Sequence, residues 1–356
     1  MFFKLTKVNK SFHGKQILNN ISFTADRGEI ISFIGPSGVG KTTLLKIIAG
    51  METPDSGDIV FNTDTGDKNP AVMVFQDFLL FPNMTVFDNV AFGLRAAKTD
   101  KQVIEKKVME MLDCFQVKEK AGQYPKQLSA GQQQRVAIAR AMVINPGVLL
   151  LDEPFANLDK NLKADTALFI RNTQKQFNTT TICVMHDQEE AFSMSDRIGI
   201  MLGGQLVQFD KVEKVFNEPI SIKAAAFLGH VNRLTPETAG KLKILDNRAE
   251  QDLDFSTGNY YFRAEAATIS ANPQGHWEIV QVVFFGRNIS FHLQSGTTIV
   301  QVHALHNGFK TGDRVDLFIH RILRGEHHEK STFNAGVDSA ARVLPQGGPP
   351  TGSPHL

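Results

Sequence analysis

The spacing of apolar side chains divides the chain into a long front part that mixes strand and helix periods and a shorter rear part with strand periods alone. In the front part, residues 2–8 alternate as a short strand, residues 17–23 read as a second before a turn at Asp26, Arg27 and Gly28, and residues 30–34 form an apolar third. A helix is predicted from Thr43 to Ala49, turn chemistry at 53–57, and a strand at 58–62. The continuous apolar run at 71–75 is typical of a buried strand and stops at Gln76. From Val86 to Val117 the period turns helical, with Ile104, Val108, Met111 and Phe115 on one face, which is packing and carries no chemistry. Ser129 is a good N-cap for a helix reaching about Val143. Two more buried strands follow, residues 148–151 ending in Asp152 and Glu153, and residues 180–185 ending at His186. Alternation of this kind predicts a parallel sheet covered on both faces, with any ligand at the strands' carboxyl edge. In the rear part, residues 260–263, 277–285, 289–293, 298–303 and 314–320 alternate as short strands between Gly, Asn and Asp turns and read as a small β-barrel. The stretch from about 331 is rich in Gly, Pro and Ser, has no period, and reads as a disordered tail.

Composition narrows the function classes. The 356 residues are too many for one core, so two or three units are expected. Lysine plus arginine (38) nearly cancel aspartate plus glutamate (37), which leaves no global basic field for nucleic acid. The rear strands interleave too few basic and aromatic residues for an oligonucleotide surface. Cys114 and Cys183 lie far apart, neither a disulfide framework nor a metal site, and suit a reducing cytosol. No apolar run approaches the roughly 18 residues that cross a bilayer, and the N-terminus lacks a signal-peptide pattern. Any membrane role is therefore expected to come through a partner.

The chemistry concentrates in a few stretches. Gly35, Pro36, Ser37, Gly38, Val39, Gly40, Lys41 and Thr42 fit a phosphate-binding loop, placed after a strand and before a helix as that loop requires. Glycines let successive N–H groups turn inward on a phosphate, Thr43 opens the helix whose dipole adds positive potential, Lys41 can reach β- and γ-phosphate oxygens, and the Thr42 hydroxyl can ligate Mg²⁺. Asp152 fits a Mg²⁺ ligand and Glu153 a partner for a catalytic water, because carboxylates at the mouth of a buried strand are costly unless they bind something. Gln76 and His186 repeat that placement, and Gln76 is well sited to touch a metal-bound phosphate. Ser129, Gly131 and Gln132 open a helix with small residues and free N–H groups, a second place for a phosphate. Phe12 could stack on adenine or simply pack. Phe78, Leu79, Leu80, Phe81 and Pro82 put much apolar surface on a loop, so they either dock a partner or fold into the core.

Taken together these stretches resemble the nucleotide-binding subunit of an ABC transporter, with an α/β P-loop NTPase domain, its helical subdomain, and a small all-β, OB-like (TOBE) barrel. Residues 35–42 are similar to the Walker A loop, Gln76 to the Q-loop, residues 128–132 to the signature, Asp152 and Glu153 to Walker B, Asn157, Leu158 and Asp159 to the D-loop, and His186 to the switch histidine. Ala130 stands where the family most often has glycine, and Phe12 where it has tyrosine. The resemblance implies an ATPase domain over residues 1–235 with its helical subdomain at about 86–147, a barrel over 236–325, and a tail over 326–356. It further implies ATP and Mg²⁺ as cofactors and a head-to-tail homodimer in which Ser129 meets the partner's γ-phosphate. Glu153 would polarise the attacking water while His186 holds the γ-phosphate. Further implied partners are permease subunits docking near residues 78–82 and a periplasmic or extracellular solute-binding protein, at the cytoplasmic face of the cell membrane, with no nucleic acid. The barrel argues for import. The junction at 227–234 is similar to that of sulfate/thiosulfate import ATPases, which makes a sulfate-type oxyanion the first expectation, with ferric iron, polyamine or another anion as alternatives. A soluble, non-transport ABC ATPase and a regulatory protein with vestigial turnover are the readings from other classes. The first usually carries two cassettes or a long coiled-coil insertion, and the second would break the Glu153 or His186 position, which are both intact.

Overall fold

The computed structural model describes residues 2–62, 71–156, 160–245, 254–255, 260–305 and 308–325. The chain divides into two compact units, Met1–Val231 and Asn232–Leu356. In chain order the first unit contains β1 (Phe3–Phe12), β2 (Lys15–Ala25), β3 (Ile30–Ile34), α1 (Lys41–Ile48), β4 (Ser56–Phe61), β5 (Ala71–Val74), α2 (Val86–Ala96), α3 (Lys101–Cys114) and α4 (Ala130–Met142). It continues with β6 (Val148–Asp152), α5 (Lys160–Phe177), β7 (Thr180–Met185), α6 (Gln188–Met194), β8 (Arg197–Leu202), β9 (Gln205–Lys211), α7 (Val212–Asn217) and α8 (Ile222–Leu228).

Two sheets build this unit. β1 and β2 form a long antiparallel ribbon with β4 on the far side of β1, and the principal sheet runs β5-β6-β7-β3-β8-β9. β3 shows why a continuous apolar run belongs inside a parallel sheet. Ile30 and Ile34 point into the core that holds α2 and α4, Ile31 and Phe33 into a second core beneath α1 and the β1–β2 ribbon, and all four are fully buried. Each such side chain contributes about 1.5–3 kcal/mol relative to exposure.

The unit departs from the sequence reading in three places. β9 runs antiparallel to β8, so the sheet is mixed. β5 stops at Val74, short of Phe75, and pairs only with β6 at the sheet's edge, where Ala71, Val72 and Met73 stay partly exposed. An apolar run has the same composition at an edge as at a centre, so the pattern could not tell them apart. The ribbon strands are also longer than their alternating stretches, because pairing from Phe3↔Ala25 to Phe12↔Lys15 holds polar residues extended as far as the hairpin.

The second unit contains β10 (Val231–Leu234), α9 (Pro236–Ala239), β11 (Lys243–Ile244), β12 (Tyr260–Arg263), β13 (Ala267–Ala271), β14 (Trp277–Phe284), β15 (Ile289–Ser295), β16 (Thr298–Ala304), β17 (Arg314–Ile319) and β18 (Leu323–Arg324). A sheet of order β11-β17-β14-β15-β16, with β13 also on β17, curls so that β13 approaches β16 at the opposite end, giving a half-barrel. Its core holds Trp277, Ile279, Phe291, Leu293, Val302 and Leu317, and the buried indole N–H of Trp277 donates to the Lys241 carbonyl at 2.7 Å. The tail at 326–356 lies outside the described residues.

Candidate nucleotide-binding site

Strand register gathers the chemistry at one edge. Ile34 pairs with Met185 and Asp152 with Val184, so the loop after β3, the carboxylates after β6 and His186 after β7 leave the sheet side by side. Val74 pairs with Leu151, so β5 ends at the same edge, and Gln76, two residues beyond that end, is exposed.

The loop between β3 and α1 is shaped by two glycines without room for a side chain. A Cβ on Gly35 would stand 2.3 Å from the Met201 carbonyl oxygen. Gly40 sits at φ +108°, where a Cβ would meet Leu18 at 2.7 Å and the Ile17 carbonyl oxygen at 2.9 Å, so β2 passes directly against the loop. Gly40 caps α1, and the helix starts at Lys41, two residues earlier than its pattern predicts. Lys41 is buried, and its ammonium donates to the carbonyls of Gly35 at 2.7 Å and Pro36 at 3.1 Å, across the mouth of the loop. Burial pulls its pKa below that of an ordinary lysine, against the opposing pull of Glu153 and Asp152.

Thr42 joins the loop to β6, its hydroxyl donating to Asp152 Oδ1 at 3.0 Å. Asp152 is 7% exposed, and burial raises its pKa, only partly offset by the Thr42 hydroxyl. Two hard oxygen donors that converge on one buried point fit a Mg²⁺ ion, and the glycine-walled loop beside them fits phosphate. Glu153 follows with φ +47°, a left-handed conformation uncommon outside glycine, while its N–H donates to the Val184 carbonyl at 3.0 Å. That turn swings its carboxylate onto His186 Nε2, and the two side chains are in direct contact.

The remaining candidates lie around this cluster. Phe12, at the end of the β1–β2 hairpin, is 39% exposed. Ser129 caps α4 in a capping box with Gln132, its N–H donating to Gln132 Oε1 at 3.0 Å and its Oγ accepting from the Gln132 N–H at 3.4 Å. Among the described residues no hydrogen bond or ion pair joins Ser129 or Gln132 to Lys41, Thr42, Asp152, Glu153 or His186, and buried Gly131 opens the same helix. Asp159 lies outside the described residues.

Burial divides the 78–82 segment. Phe78 is buried in the core and Leu80 packs on it, whereas Leu79 is 55% exposed. Two groups the sequence did not single out hold the segment. Fully buried Asn89 accepts from the Phe81 N–H and donates to the Phe81, Met84 and Thr85 carbonyls. Arg140, on the helix that Ser129 caps, donates to the Phe78 and Leu79 carbonyls and lies over the Phe81 ring. An asparagine amid apolar helix positions is the one signal that could have marked the first. Lys163 and half-buried Glu190 form a further pair at 2.8 Å between α5 and α6.

A family model described as ABC transporter matches residues 18–156. A spermidine/putrescine import ATP-binding protein, PotA of Vibrio vulnificus strain YJ016, is 42% identical over 264 residues, covering 73% of this chain and 70% of its own length. The chain belongs to the ABC transporter ATP-binding family. Its enzyme class is that of an ABC-type ATPase, and its first unit is the family's ATP-binding α/β domain. PotA of Vibrio parahaemolyticus serotype O3:K6 is 46% identical over 234 residues, 64% of this chain and 62% of that relative's length. The sulfate/thiosulfate import ATP-binding protein CysA of Pseudomonas syringae pv. tomato is 44% identical over 245 residues, 66% of this chain and 75% of its own. Among solved structures, cbiO1 of Clostridium perfringens, described as part of the ABC transporter complex cbiONQ, superposes with a TM-score of 0.56 at 30% identity over 60% of this chain and 90% of that one.

Proposed function

We propose that this ABC ATPase powers import of a polyamine across the cytoplasmic membrane, working from the membrane's inner face. Similarity to PotA proteins carries the cargo reading and displaces the sulfate-type oxyanion that the 227–234 junction favours. CysA matches too, so sulfate is the second arm of the test. No helix among the described residues is long and apolar enough to cross a membrane, which agrees with a subunit bound to separate permease subunits. A solute-binding protein outside the membrane would complete the complex.

The reaction is ATP plus water giving ADP plus phosphate. Loop residues 35–43 would cradle the phosphates, with Lys41 turning from the Gly35 and Pro36 carbonyls to the β- and γ-phosphate oxygens. Thr42, Asp152 and Gln76 would hold Mg²⁺, which when bound supplies charge neutralisation at those oxygens. Glu153 orients the attacking water and His186, already against it, takes the γ-phosphate side. Ser129, Gly131 and Gln132 serve the site of a second copy, a reading supported by a phosphate-type helix start with no bond to this chain's own loop. Asp159 would line that same junction. Measuring binding apart from hydrolysis tests the core of this reading: Lys41→Ala should lose ATP affinity, and unchanged affinity would sink the loop assignment. Uptake of labelled spermidine, sulfate and ferric iron in host cells, with Lys41→Ala as the inactive control, decides the cargo. Loss of spermidine uptake alone is the expected result, and loss of sulfate uptake alone would restore the oxyanion reading.

A further inference from the structure

We infer that Lys10 is a positioning residue for the nucleotide base, holding the Phe12 ring by one face so that the other is presented to adenine. The inference rests on the ATP-site reading above. Lys10 is 9% exposed, yet its ammonium is fully engaged: it contacts Glu52 at 2.7 Å and Asp55 at 3.4 Å and donates to the Thr53 carbonyl at 2.7 Å. The same ammonium stands 5.0 Å from the centre of the Phe12 ring, within the range of a cation–π contact. The cation therefore stands over one face of the ring, and Phe12 as a whole stays 39% exposed, which leaves surface that a base can reach.

The attachment also fixes where that face lies. Residues 52–55 follow the end of α1, and they are laced to β1 a second time by the Ser11 N–H donating to Asp55 Oδ2 at 2.7 Å and the Asp55 N–H donating to the Asn9 carbonyl at 2.9 Å. On the other strand of the hairpin, the Ile17 carbonyl lies where a Cβ on Gly40 would be 2.9 Å away. The ring is thus tied to both ends of the phosphate-loop helix, through Lys10 at its exit and β2 at its entrance. A phenylalanine has no hydroxyl with which to fix its own orientation, and Lys10 supplies that restraint.

The test compares ATP with inorganic tripolyphosphate, which has the phosphates and no base, by calorimetry on the full chain. Phe12→Ala should weaken ATP and leave tripolyphosphate unchanged. Lys10→Met should weaken ATP about fivefold, the size of a partly desolvated cation–π contact, again sparing tripolyphosphate, and Lys10→Arg should restore most of the loss. Wild-type ATP affinity in Lys10→Met alongside a weakened Phe12→Ala would overturn the inference, and so would an equal loss of both ligands, the mark of a merely structural role. If Phe12→Ala binds ATP normally, the base platform fails and this inference with it. Lys41→Ala, which should lose both ligands, tests the phosphate loop separately. Should Lys10→Met not fold, Glu52→Gln, which loosens Lys10 without removing it, is read by the same comparison.

Discussion

At the scale of single residues, the site depends on one backbone angle as much as on side-chain identity. Glu153 at φ +47° leaves the line of β6 and turns its carboxylate onto His186, a conformation that costs on the order of 1–3 kcal/mol and persists only where the surroundings enforce it. Glu153→Gln keeps shape and backbone, so ATP affinity should stay within about threefold while turnover falls by about a hundredfold or more. Hydrolysis close to the wild-type rate would remove Glu153 from the water-orienting role. A second residue sits at the opposite, amino edge of the same sheet. Burial of Asp196 opposes its ionisation, but Lys175 at 2.5 Å, the Ile30 N–H at 2.9 Å and Arg171 at 2.8 Å overcome this and hold its pKa below the ordinary carboxylate value. A depressed pKa stabilises the fold above the unfolded-state value of about 3.9, and that stability drains as pH falls through the lower folded value. Asp196→Asn should therefore lose on the order of 1 kcal/mol at pH 7, screened by its partial exposure, and show a flatter loss of melting temperature below about pH 4. Equal acid slopes in the two proteins would dismiss the network as a source of stability.

At the scale of elements, the stretch between β5 and α2 is irregular yet held at several points. Phe78 and Leu79 take successive left-handed angles, φ +59° and +42°, and their carbonyls are held by Arg140 while Asn89 secures the next turn. Removing a buried amide with several partners strands those partners, so Asn89→Ala should cost roughly 1–3 kcal/mol in the denaturant midpoint. A loss below the scatter of surface substitutions would mean the segment holds itself. Because Arg140 rides on the helix that Ser129 caps, Arg140→Met should preserve ATP hydrolysis by the isolated protein and reduce transport in the assembled importer. Equal losses in both assays would count against a coupling role. This segment also shows the limit of reading pattern alone. The sequence located its apolar residues and offered docking or core as alternatives; Phe78 and Leu80 take the core while Leu79 stays exposed, because facing in a loop is decided by which carbonyls find partners. The strand ends with Asp152, Glu153 and His186 were legible from composition, since a charge closing an apolar run costs free energy unless a ligand or partner meets it. The edge position of β5 and the antiparallel β9 were not, as they depend on pairing between distant segments.

At the scale of the whole molecule, the two units have separate cores, and the nucleotide-binding loop belongs to the first. A ligand that binds only the folded first unit raises that unit's stability by about 2.7 kcal/mol at a hundredfold excess over its dissociation constant. The second unit should not share the gain if its unfolding is independent. The chain's single tryptophan makes this directly visible, because Trp277 lies at the centre of the half-barrel core, with no indole in the ATP-binding unit to mask it. Tryptophan emission, excited selectively so that Tyr124 of the front unit stays silent, then follows the rear unit alone, while the far-ultraviolet helix signal follows the front one. Adding ATP during a melt should move the second signal upward and leave the first in place, and coincident shifts would mean that the two halves melt as one cooperative body. That one buried ring gives the protein a natural optical label, so the response of its half-barrel to any solute can be read without attaching a dye.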